Sequence, residues 1–235
     1  GLITDTETPI EEALKKIDEY TPNKVLIKKL TSRRSIVIKA DKPKYEVVCI
    51  DLGIKNNIIE NLVERNCNVV ILPYDVDSEK VMSYKPNGLF ISNGPSSFEE
   101  CEKVLQVIKD LKGKLPIAGI GLGHLLMAKA SGAVIEKMKF GHHGVNQSVK
   151  NLNTRKVIIT SQSHNYEVCE ESLQNTNLTV SLTNLSDGSI EGLISNIDKV
   201  VTSQFDLFES SSSPSVKSIY DELVEMIKSA KGGNK

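Results

Sequence analysis

The sequence lacks an excess of charge of either sign. Its 29 lysine and arginine residues are balanced by 30 aspartate and glutamate residues, which leaves a formal net charge of −1. A balance of this kind gives no electrostatic reason for binding to nucleic acid or to an anionic membrane. We therefore expect neither among its partners.

Long apolar runs and paired cysteines are also missing. No segment approaches the roughly 20 apolar residues of a membrane-spanning helix, and no signal peptide opens the chain. The four cysteines are scattered without the spacing of a metal site, so we expect reduced thiols in a cytosolic-type compartment. Two of them, Cys49 and Cys101, are predicted to pack in the core. Because residue 1 is glycine rather than methionine, we expect the sequence to be a piece of something longer.

What the sequence does contain is an alternation of strand and helix patterns over its first half. This alternation predicts an α/β fold with an open, mostly parallel sheet flanked by helices. Ligands of such sheets bind beyond the carboxyl ends of the strands, where Asn93-Gly94-Pro95 and Gly121 fall. Buried strands are predicted at 45–51, 68–72, 88–92 and 117–120, with helices at 55–65, 99–112 and 125–130 between and after them.

Beyond residue 133 the pattern changes to shorter, β-rich segments, which predict a smaller β-rich portion with no internal repeat. We divide the chain into a connector at 1–44 that follows a missing N-terminal domain, a main domain at 45–228 and a flexible tail at 229–235. The connector is predicted to contain a short helix at 11–20. The later strands are predicted at 157–161, 178–183, 193–194 and 200–205, and a closing helix at 216–228.

The stretch from Ile117 to Ala130 predicts a strand, a sharp turn and a helix, with glycines alternating at 119, 121 and 123. This is the pattern of a nucleophile elbow, in which one side chain stands on a strained turn before a helix N-terminus. The helix dipole there lowers the pKa of a cysteine thiol and makes it nucleophilic. In this chain the elbow position is Gly121, which has no side chain to attack with. The scaffold of an active site is therefore predicted without its nucleophile.

Five short segments occur in order along the chain: Ile91-Ser92-Asn93-Gly94-Pro95, Gly123-His124, the octapeptide KMKFGHHG at 137–144, Thr160-Ser161-Gln162, and Leu182-Thr183-Asn184 followed by Asp187-Gly188. Together these segments resemble those of the class I glutamine amidotransferases, whose fold is flavodoxin-like. More narrowly, they resemble the amidotransferase lobe of the carbamoyl-phosphate synthetase small subunit.

The resemblance implies a site that has lost its chemistry. In that family an elbow cysteine attacks the amide of glutamine, a histidine acts as its base and a glutamate orients the base. These three positions hold Gly121, Asp206 and Phe208 here, so no catalytic residue is intact. The remnant glutamine pocket is expected to be partly filled and more apolar. It is assigned to Gly94, Ser96, Leu122, Leu125, Ser163, Asn165 and Tyr166.

The resemblance further implies that the chain is a structural or regulatory lobe of a carbamoyl-phosphate synthetase that uses free ammonia. Such an enzyme serves either pyrimidine synthesis or arginine and urea synthesis. The partner of the lobe is then a large synthetase subunit or fused synthetase domains, which bind ATP and magnesium, while this domain itself needs no cofactor. The expected compartment is the cytoplasm or the mitochondrial matrix. Two alternatives stay open at this point: an active glutaminase with rearranged catalytic residues, and a free-standing binding protein that reuses the fold.

Two histidine segments need a separate interpretation. The pair His142-His143 has no accompanying third ligand pattern, and adjacent side chains diverge, so we expect no metal site there. A structural role at the lobe surface fits that family segment better. His164 could still bind a small anion at the remnant site.

Overall fold

A computed structural model of the chain describes residues 2–5, 7–20, 26–95, 98–205 and 218–232. Ten strands occur in these ranges: β1 (Ile36–Ile38), β2 (Tyr45–Asp51), β3 (Cys67–Pro73), β4 (Gly88–Ile91), β5 (Ile117–Ile120), β6 (Ile135–Asn151), β7 (Val157–Val168), β8 (Thr179–Asn184), β9 (Ile190–Ser195) and β10 (Val200–Ser203). The same ranges contain seven α-helices: α1 (Ile10–Glu19), α2 (Ile27–Leu30), α3 (Asn56–Glu64), α4 (Ser78–Ser83), α5 (Glu102–Leu111), α6 (Leu122–Ala130) and α7 (Ile219–Gly232).

All ten of these strands belong to one sheet, in the order β1-β3-β2-β4-β5-β10-β9-β8-β6-β7. The strands from β3 to β10 in this order run parallel, while β1 and the strands beyond β10 pair antiparallel. The predicted fold class is confirmed: an open α/β sheet with flanking helices. The β-rich portion continues this sheet, because β10 pairs with the parallel β5 on one side and with the antiparallel β9 on the other.

The core lies on both faces of the parallel strands, because side chains along a strand alternate between faces. In β2, Val48 and Ile50 pack with α5 and α6, whereas Val47 and Cys49 pack with α3 and α7. On the α7 side the rings of Phe90 and Tyr220 stack with centroids 5.7 Å apart. Among the described helices, none has both the length and the apolar character that crossing a bilayer requires.

Strands β2 and β5 have the predicted bounds, but the long hairpin of β6 and β7 was largely missed. Its register shifts between Lys137 and His142 and again between Gly144 and Gln147. Such bulges interrupt the period-two pattern by which a strand is recognised in sequence. The short strand β1 also joins the sheet, and α7 extends to Gly232; the division of the chain at 44 and 228 stays a prediction.

Candidate functional site

The elbow between β5 and α6 is built as predicted, with a glycine at its tip. Gly121 has φ 57° and ψ −111°, a conformation that strains any residue with a side chain. Its N–H donates to the Ser203 carbonyl at 2.9 Å, and its own carbonyl accepts from Leu125 N–H at 3.2 Å. These bonds tie the turn to β10 and start the helix.

At the neighbouring positions 119 and 123, glycine is required because a larger residue would not fit. A Cβ on Gly119 would lie 2.7 Å from the Gly123 carbonyl oxygen, and a Cβ on Gly123 would collide with the Ile91 carbonyl. A Cβ on Gly121, in contrast, would lie 3.6 Å from Asn93 Cβ and 3.8 Å from the Gln204 carbonyl oxygen, which is ordinary contact. The elbow therefore has room for a side chain at 121 and for none at 119 or 123.

A cavity of about 300 Å³ opens in front of the elbow, at the carboxyl ends of the parallel strands. Of the predicted site residues, the structure brings five to its wall: Gly94, Gly121, Leu122, Leu125 and Ser163. Three others, Ser96, Asp206 and Phe208, lie outside the described residues. The wall also includes Lys55, Asn93, Ile120, Ser161, Gln162, His164, Gln204 and Phe205.

Asn165 and Tyr166, which are also assigned to the remnant pocket, are not among the residues that line this cavity. Side chains alternate along β7, so Gln162 and His164 are buried while Asn165 is exposed and its Oδ1 accepts from His143 Nε2 at 3.0 Å. The Tyr166 ring packs edge-on against Phe98, with centroids 5.1 Å apart. The described wall combines amide, hydroxyl and imidazole groups with leucines, and the expectation of a more apolar cleft stays a prediction.

Sequence reasoning missed a buried polar cluster beside the cavity, formed by His142, His164 and Glu191. His142 and His164 are cross-strand partners in β6 and β7, and their rings meet edge-on with centroids 4.9 Å apart. His142 Nδ1 lies 3.1 Å from Glu191 Oε1, and its Nε2 lies 2.8 Å from Asp187 Oδ2. His142 is therefore interior rather than at the lobe surface, while the adjacent His143 is exposed.

The cluster is strongly polarised. Hydrogen bonding to Glu191, supported by Asp187 and opposed by burial, raises the pKa of His142 to about 9. Burial favours a higher pKa for Glu191, but its contacts with His142 and His164 outweigh burial and hold that pKa below its usual range. At neutral pH His142 is thus a cation and Glu191 an anion, held together out of water.

A third buried histidine, His124, lies on α6 and stays neutral. Its Nδ1 is 2.8 Å from Thr202 Oγ1, and burial lowers its pKa to about 3 despite the opposing field of Glu191. Among the described residues, three buried atoms of this region lack a hydrogen-bond partner. They are His124 Nε2, Glu191 Oε2 and Gln204 Oε1.

The class of the chain is shown by comparison with known proteins. The glutamine amidotransferase class-I family matches residues 48–226, which is most of the chain, so the chain belongs to that family. The narrower resemblance is supported by curated relatives. The carbamoyl phosphate synthase small chain of Bacillus cereus is 40% identical over 187 residues, which are 80% of this chain and 51% of that protein. The carbamoyl phosphate synthase pyrimidine-specific small chain of Halalkalibacterium halodurans is 38% identical over 189 residues, 80% of this chain and 52% of that one.

This chain therefore spans about half the length of these relatives. Among solved structures, a protein from Thermoplasma acidophilum described as a candidate GMP synthase subunit superimposes with a TM-score of 0.66 and is 20% identical. The match covers 81% of this chain and 97% of that one. At this identity the likeness shows the shared fold alone.

Proposed function

We propose that this chain is the amidotransferase-type lobe of a carbamoyl-phosphate synthetase and that it does not hydrolyse glutamine. The observation that carries the proposal is Gly121, which forms the elbow and offers no nucleophile. Without an attacking thiol, no covalent intermediate with the glutamine amide can form there. The lobe then serves an ammonia-using synthetase of pyrimidine or arginine and urea synthesis as a structural or regulatory part.

The cavity wall supports the same proposal. Leu125 stands where the resembling family has a glutamine that holds the substrate, and it lines the cavity with its apolar side chain. An amide cannot donate to or accept from a leucine, so a bound glutamine would leave polar groups unpaired at a cost of several kcal/mol. The proposed loss therefore involves two residues: Gly121 removes the nucleophile, and Leu125 removes a contact to the substrate.

A lobe of a larger assembly is expected to present apolar surface to its partners, and this chain does so in two places. Ile10, Leu14 and Ile17 of α1 are 78, 55 and 41% exposed. On β6, Phe140 and Val145 are each 78% exposed. Apolar groups grouped in this way are typical of surfaces that a partner covers, and they support a retained synthetase interface.

The proposal is tested by co-expressing the chain together with the proposed synthetase subunit or domains. We expect the complex to form carbamoyl phosphate from bicarbonate, ATP and ammonium chloride, and to form none when glutamine replaces ammonium chloride. Synthesis supported by glutamine would identify the lobe as an active glutaminase with rearranged residues. A failure of the two to associate would favour a free-standing binding protein.

A repair experiment distinguishes the loss of one residue from the loss of a site. We expect Gly121→Cys to fold, because a Cβ at that position meets its neighbours at 3.6 Å or more. We also expect it to turn over no glutamine, because the base and orienting positions hold Asp206 and Phe208. Removing the base of such a triad costs a factor of roughly 10⁴ or more.

The measurements are ammonia release and alkylation of the new thiol by iodoacetamide. Gly121→Ala is the matched control, since it carries the same backbone strain and the same four native cysteines without a thiol at the elbow. Alkylation above that control without turnover is the expected outcome. Glutamine turnover from the single change to cysteine would contradict the proposed loss of the site.

A further inference from the structure

The cluster of His142, His164 and Glu191 directs three metal-ligating atoms toward one point. His142 Nδ1 lies 3.1 Å from Glu191 Oε1, and His164 Nε2 lies 3.8 Å from the same oxygen. One ligand atom from each residue lies within 4.8 Å of the other two. A tetrahedral ion with bonds of about 2.0–2.1 Å has ligand separations of roughly 3.3–3.4 Å, and the two distances lie on either side of that value.

The outer nitrogen of each ring is held by an acceptor. His142 Nε2 faces Asp187 Oδ2 at 2.8 Å, and His164 Nδ1 faces the Tyr166 carbonyl oxygen at 3.1 Å. Since neither partner can donate, both outer nitrogens carry a proton and donate it. A metal-ligating histidine almost always donates its other N–H to a carboxylate or a backbone carbonyl. The inner nitrogens of both rings are then the ones that face Glu191.

A further oxygen atom, of a kind that coordinates cations, lies close to the inner nitrogen of His164. Gln162 Oε1 lies 3.2 Å from His164 Nε2, and its orientation is fixed because Gln162 Nε2 donates to Thr160 Oγ1. The two rings lie with centroids 4.9 Å apart, and Asn184 Nδ2 is a further, long contact of His142 Nδ1 at 3.4 Å.

Glu191 supplies the second, independent observation. Its side chain is fully buried, and Oε2 has no hydrogen-bond partner among the described residues. A buried carboxylate is costly unless it is paired or coordinates a metal. An ion held through Oε1 neutralises the charge of the whole carboxylate, including this unpartnered oxygen.

We infer that this cluster binds one zinc ion or a similar divalent transition metal through His142 Nδ1, His164 Nε2 and Glu191 Oε1. Two imidazole nitrogens and a carboxylate are a zinc ligand set, whereas magnesium and calcium prefer oxygen atoms alone. Gln162 Oε1, 3.2 Å from His164 Nε2, is an oxygen that could take the fourth position. Because Gln162 and His164 also line the cavity, the ion lies at the cavity wall beside the elbow.

The test uses the 235-residue chain stripped with EDTA, exchanged into chelator-free buffer and titrated with Zn²⁺ by calorimetry. Co²⁺ serves as a second probe, because its visible absorption distinguishes four-coordinate from six-coordinate binding. Variants His142→Asn and His164→Asn each remove one ligand. The matched control is His143→Asn, which changes the exposed neighbour of His142. A further variant, Asp187→Ala, alters a residue whose side chain is 46% exposed and leaves all ligands in place.

We expect one equivalent of Zn²⁺ to bind and Co²⁺ to show four-coordinate absorption. Loss of an outer partner typically weakens metal binding about 10–100-fold, so Asp187→Ala should fall in that range and each ligand variant beyond it. His143→Asn should bind as the unchanged chain does. Failure of the folded, unchanged chain to bind either ion would overturn the inference. So would unchanged stoichiometric binding in both ligand variants, which would place the ion elsewhere.

Discussion

We expect Gly123→Ala to destabilise the fold by about 3 kcal/mol, the upper end of the usual cost of overpacking. The new Cβ would collide with the Ile91 carbonyl oxygen and lie 2.9 Å from its carbon. Both atoms belong to the backbone of β4, which is paired with β2 on one side and β5 on the other. A flexible side chain could move aside, but this strand cannot shift without disturbing both pairings. The higher helix propensity of alanine, compared with glycine, offsets at most about 1 kcal/mol of this loss of stability.

Urea unfolding followed by circular dichroism measures this loss. The control is Gly232→Ala at the end of α7, where an added Cβ would meet nothing within 4 Å. We expect the control to unfold within about 0.5 kcal/mol of the unchanged chain. Equal stability of Gly123→Ala and the control would show that α6 can move away from β4, and that close packing does not fix the elbow.

The second large effect is expected from Glu191→Gln. Glutamine keeps the shape of the side chain but removes the negative charge beside His142, whose imidazolium is then left with Asp187 alone. Removing one partner of a buried ion pair costs about 3–5 kcal/mol, because the other charge stays out of water without compensation. With Asp187 still in contact, we expect about 3 kcal/mol at neutral pH in protein kept metal-free with EDTA.

Asp221→Asn provides the matched comparison. Asp221 pairs with Arg65 at 2.7 Å, but its side chain is 44% exposed and solvent screens the pair. Such pairs contribute about 0.2–1 kcal/mol, so its removal should cost less than a third of the effect at Glu191. Equal losses in the two variants would mean that Glu191 is better solvated than the structure shows.

The parallel half of the sheet was predictable because its strands are buried on both faces. Such strands form continuous apolar runs that end at turn residues, as Tyr45–Asp51 and Ile117–Ile120 do. The elbow was predictable for a related reason, since its glycines lie within one short stretch of sequence. The likeness of the flanking segments to a known family then gave the elbow its chemical meaning.

The histidine cluster was not predictable, because its members come together only through strand register. His142 and His164 are 22 positions apart and meet across the β6–β7 hairpin, while Glu191 arrives from β9. Two bulges shift the β6–β7 pairing by amounts that no sequence pattern reveals. The alternation of β7 also decides that His164 points inward and Asn165 outward, and family likeness alone had placed Asn165 in the pocket.

The crowding at Gly119 and Gly123 means that the glycine pattern of the elbow reports close packing and does not by itself report catalysis. These two glycines are required by the contact between β4, β5 and α6, whatever chemistry the turn performs. A chain with this packing needs both glycines whether or not it turns over a substrate. A sequence search based on the spaced glycines would therefore find catalytically active and inactive lobes alike. Within the elbow, residue 121 is the position where a side chain has room, so it is the elbow position that can differ between the two.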